Sequence, residues 1–100
     1  MSRSVSKTHL DRYFRITKEA LLVARATPVK TKVSIDAKKA SADILHLVEC
    51  YVKDAEHFAK RGDVVLAFAA LNYAHGLMDG LARLKIIPVK DSRLFIVDDE

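Results

Sequence analysis

No tryptophan, one cysteine, two prolines and three glycines occur in this chain of 100 residues. A lone cysteine, Cys50, excludes an internal disulfide and fits a reducing compartment. So few turn-forming residues leave room for a handful of long helices, not for many short strands. No run of about 18 uninterrupted apolar residues is present, so no membrane span is expected. The opening MSRSVSKTHLDRYFR holds no apolar signal core. A cytoplasmic location without membrane association is therefore the expectation. Also missing are a glycine-rich phosphate loop, an H-E-x-x-H helix and paired C-x-x-C motifs, so no nucleotide, metal or other cofactor is expected.

What is present reads as one soluble globular domain over residues 1–100. Half the residues are hydrophobic and 30% are charged, a balance that a disordered chain does not reach. The net charge of +4 is unevenly spread. Residues 1–40 carry ten Lys/Arg against three Asp/Glu, a balance of +7, and residues 41–100 carry seven against ten, a balance of −3. A basic first part can meet phosphates or an acidic partner, or can serve as solvated surface that offsets the acidic remainder.

The most apolar stretch, GDVVLAFAALNYAHGLMDGLARLKII (62–87), sets the architecture. Leu66, Ala70, Tyr73, Leu77, Leu81 and Leu84 recur at helical steps, and Ala67, Leu71, Ala74 and Met78 form a second strip beside them. A helix apolar over more than half its girth needs more than one neighbour. Upstream, residues from about 4 to 26 predict a first helix with Leu10, Tyr13, Phe14, Thr17, Ala20, Leu21 and Ala24 facing inward. Ser4, Ser6 and Thr8 are its candidate caps, and Pro28 stops it. After a basic linker, Ser34 is the expected cap of a second helix over about 34–61, with Ala37, Ile44, Tyr51 and Phe58 spaced by seven. Gly62 and Asp63 predict a tight turn into a third helix over about 63–87. The reading is all-α: a three-helix up-and-down bundle with a short extended C-terminal tail over 88–100. The apolar run Leu94–Val97 of that tail is expected to fold back over Val65 and Phe68.

Three groups of residues carry candidate chemistry. Asn72, His75, Asp79 and Arg83 form a polar stripe on the third helix, where Asp79 can pair with His75 or Arg83. A His–Asp pair can orient a general base, yet no Ser or Cys nucleophile shares the stripe, so a solvent face is the plainer reading and no enzyme is expected. His46, Cys50, Asp54 and His57 line one side of the second helix, but they climb about 16 Å, more than one metal ion spans. Asp54 sits near Tyr51 at the edge of the apolar stripe, placed to bond the hydroxyl of a buried Tyr73. Finally, Arg12, Arg15, Lys30, Lys32, Lys38 and Lys39 make the basic part a candidate for nucleic-acid contact, without a recognisable binding motif.

The text YVKDAEHFAKRGDVVLAFAALNYAHGLMDGLARL, with Leu94-Phe95 and Val97 in the tail, resembles the archaeal domain-of-unknown-function family numbered 357. The shared pattern includes Tyr51, Asp54, Gly62, Asp63, Asn72, Tyr73, Gly76, Asp79 and Arg83. The resemblance implies a compact three-helix bundle and no activity. One departure is Lys85, where members usually have glycine, and it suggests a third helix that runs on to Pro88. The functional expectation is a non-enzymatic module for contact with another protein or with itself, including as a homodimer. Alternatives are weakly specific RNA or DNA binding, and a small-molecule site near Tyr51, Asp54, Tyr73 and Asp79.

Overall fold

The computed structural model describes residues 6–95, which form three helices and no strand. α1 spans Lys7–Ala26, α2 Ala37–Lys60 and α3 Val64–Arg83, so the all-α class expected from the sequence is the class observed. Ser4 lies outside the described residues. Ser6 caps α1, its hydroxyl accepting from the His9 N–H at 3.1 Å. Pro28 ends the helix as its ring requires, with Thr27 extended and the Thr27 hydroxyl donating to the Val23 carbonyl at 2.6 Å. The cap of α2 is Asp36, not Ser34. Both types cap, but the carboxylate accepts from the Lys39 N–H at 3.1 Å and also sets a negative charge at the positive helix end.

Gly62 takes φ 77 between α2 and α3, and two bonds close the turn. The Gly62 N–H donates to the Ala59 carbonyl at 3.0 Å, and the Asp63 N–H donates to the Phe58 carbonyl at 2.9 Å. This is the Schellman ending of a helix. Asp63, itself buried, then caps α3 by accepting from the Leu66 N–H at 3.1 Å. One residue thus ends α2 and starts α3, which makes the two helices an antiparallel hairpin.

The end of α3 repeats that ending without a glycine. α3 stops at Arg83 instead of running on to Pro88, and Lys85 adopts φ 61. Its N–H donates to the Ala82 carbonyl at 3.0 Å, and the Ile86 N–H donates to the Leu81 carbonyl at 3.0 Å. The physical reason lies downstream. Pro88 pushes Ile87 out of helical geometry, so the helix must stop before it, and the turn leaves Ile86 and Ile87 half-buried.

The hairpin seam runs over small residues. Val48 and Ala55 of α2, and Ala67, Ala70, Ala74, Leu81 and Ala82 of α3, are buried. Tyr51 and Phe58 pack against the Ala55–Ala67–Ala70 cluster. The expected inward row of α3 was centred too far round: Leu66, Tyr73 and Leu84 are 44%, 54% and 72% exposed. Alanines let the two backbones approach closely, and the larger side chains are left on the flanks. By length and composition alone α3 also meets the requirement of a membrane span.

Among the described residues α2 and α3 pack on each other, and α1 packs on neither. No residue of α1 is buried, so the inward stripe Leu10, Tyr13, Phe14, Leu21 faces solvent. The tail does return to α3, but to a different place from the one expected. Asp91 accepts backbone bonds from Leu94 and Phe95 at 3.1 and 3.0 Å, and this turn shortens a segment that would have to be extended to reach Phe68. Phe68 stays 65% exposed, while Val65 is half-buried. Ile96 and Val97 lie outside the described residues.

Candidate functional site

The polar side of α3 is where the tail is held. Nε2 of His75 meets the Leu94 carbonyl oxygen at 2.5 Å and lies 3.8 Å from Oδ1 of Asp79. Both neighbours are acceptors, so Nε2 is the nitrogen that donates. The Phe95 ring stands 6.3 Å from the imidazole, centre to centre. A general base of the His–Asp kind presents one ring nitrogen to substrate while the carboxylate holds the other. Here the Leu94 carbonyl takes Nε2 while the Asp79 carboxylate stands beyond hydrogen-bond distance from it, so the imidazole holds the tail. Asn72 and Arg83 are exposed further along the helix.

The residues proposed as a small-molecule site are not brought together as a set. Tyr51 and Tyr73 do meet, their rings 4.6 Å apart and tilted by 43°. Tyr73 is half exposed, not buried, because the close approach of the helices runs over the alanines and leaves its ring on the flank. Its hydroxyl is therefore open to water and needs no carboxylate partner. Asp54 is exposed on α2. Asp79 stands on another side of α3, about 120° round from Tyr73, beside His75. His46 and Cys50 approach to 3.8 Å on the exposed side of α2. Among the described residues no group of three or more His, Cys, Asp or Glu converges as metal ligands would.

The third candidate surface is α1 with its linker. Arg12, Arg15, Lys30, Lys32, Lys38 and Lys39 are all exposed, spread from α1 through the linker to the first turn of α2. Arg12, Arg15 and Lys18 border an open hollow on α1 together with Ile16, Glu19 and Leu22. The apolar stripe runs alongside: Leu10, Tyr13, Phe14 and Leu21 are each about half exposed, and the Lys18 ammonium stands 5.8 Å over the Phe14 ring. A further apolar strip went unread in the sequence. Ile16 and Val23 are seven apart and lie opposite Phe14 and Leu21 on the helix, at 46% and 60% exposure. The seven-residue spacing was the available signal, obscured by the charged residues between.

A family model described as a protein of unknown function, DUF357, matches residues 12–87. The match takes in most of α1 and the linker as well as the hairpin. No curated protein and no solved structure matches the chain.

Proposed function

We propose that this chain, which belongs to the DUF357 family of proteins of unknown function, is a non-enzymatic helical module that acts by protein contact through α1. One observation carries the reading: a helix of 20 residues has an apolar stripe and no buried residue. An isolated helix of that length is marginal in water, because most helical stability comes from covering its apolar side. The module needs neither cofactor nor membrane, and its place of action is the cytoplasm. The test is a photoreactive phenylalanine analogue at Phe14, introduced into cells that make the protein. Irradiation is expected to join α1 to protein. Adducts to nucleic acid or lipid alone, or no adduct, would contradict the reading.

RNA or DNA binding is the second reading, favoured by the exposure of Arg12, Arg15, Lys30, Lys32, Lys38 and Lys39. Phosphate contacts would make binding to a mixed RNA pool fall steeply with salt. Absence of binding at low salt removes it.

A further inference from the structure

We infer that the apolar side of α1 is covered by the α2–α3 hairpin of a second copy of this chain, each copy lending its α1 to the other. The inference rests on the protein-contact reading above and names the partner.

Surface area is the first argument. The chain exposes 8710 Å². A compact monomer of 11.2 kDa would expose about 5,700 Å², so about 3,000 Å² is in excess. The radius of gyration agrees: 16.4 Å against about 13 Å for a compact chain of this length. The excess exceeds the surface of about 800 Å² per partner that a standard interface covers.

Complementarity within the chain is the second. α1 is a helix without a groove to lie in. The hairpin presents an apolar flank without a covering helix, where Leu66 and Tyr73 of α3 stand exposed and Tyr73 touches Tyr51 of α2.

The choice of a second copy over the chain's own hairpin rests on the strip opposite the first. If α1 folded back on its own hairpin, it would hide Leu10, Phe14 and Leu21 and leave Ile16 and Val23 in water. In a two-fold pair the two crossing α1 helices cover those strips as well. The linker 27–36 is exposed and free of helix, and Pro28 stiffens its start, as a hinge for such an exchange requires.

Light scattering of the full chain over a wide concentration range, with Phe14→Glu/Leu21→Glu beside it, tests the inference. The wild type is expected at twice the mass of one chain, and the double variant at the mass of one. Circular dichroism shows whether the variant keeps the helices of the hairpin. A second measurement avoids dependence on that variant. A photoreactive analogue at Phe14 is irradiated in a mixture of isotopically light and heavy copies. Adducts joining a light α1 to a heavy hairpin are expected. A one-chain mass at every concentration, adducts confined to single copies, or a folded double variant that stays paired would each overturn the inference. A one-chain mass with protein adducts in cells overturns only the second copy as partner, whereas a one-chain mass without them removes the protein-contact reading too.

Discussion

Gly62 and Lys85 hold the same position in the same kind of turn, with φ of 77 and 61 at the ends of α2 and α3. A Cβ in left-handed geometry crowds the following carbonyl, so the two positions respond oppositely to substitution. Gly62→Val is expected to cost about 1–2 kcal/mol, read from the urea midpoint at unchanged slope. Lys85→Gly should stabilise by about 0.5–1 kcal/mol, the relief of strain less the entropy glycine adds to the unfolded chain. No gain at Lys85 would mean that its side chain makes a compensating contact. Asp63 joins both helices at one buried point, so Asp63→Ala should cost about 1–2 kcal/mol and Asp63→Asn, which keeps the cap, far less. Tyr73→Phe should change stability by less than about 0.5 kcal/mol, because the hydroxyl is open to water. A larger loss would place that hydroxyl in a bond formed only in solution.

Among the elements, the hairpin was the most legible. The seven-residue spacing through Ile44, Tyr51 and Phe58 gave the packed side of α2, and Gly62-Asp63 gave the turn, because each depends only on local geometry. The caps were less legible. Ser34 and Asp36 satisfy the same rule two residues apart, and only the folded chain chooses between them. Lys85 was not legible at all, since nothing in a lysine announces left-handed geometry. The tail was legible in kind and not in place. Its apolar residues called for docking, but the pairing of His75 with Leu94 spans 19 residues and depends on the Asp91 turn, which extended-chain arithmetic ignores. Removing Asp91–Glu100 tests that pairing. Loss of the His75 bond is expected to cost about 1 kcal/mol, a fall of roughly 4–8 °C in Tm. Imidazole nitrogen resonances of His75 should also shift, because Nε2 loses the Leu94 carbonyl. An unchanged His75 signal would show that tail and imidazole do not meet in solution.

For the molecule as a whole, amphipathic spacing in α1 shows that one side must be covered but is silent on what covers it. Leu10, Phe14 and Leu21 would read alike on a helix closing its own bundle and on one exchanged between copies. In the folded chain α1 packs on neither of the other helices among the described residues, and a second strip at Ile16 and Val23 is exposed as well. The candidate site suffered from the same limit: Tyr51, Asp54, Tyr73 and Asp79 share a motif, but the helices turn Asp79 away from the tyrosine pair. Amide hydrogen exchange of α1 as a function of protein concentration tests the central claim most directly. An exchanged pair predicts that the amides of Leu10–Ala24 become protected as concentration rises, in step with pairing, while those of α2 and α3 are slow throughout. Protection of α1 that is the same at every concentration would instead show a helix closed on its own hairpin, and no protection at any concentration would show a helix with no partner in itself.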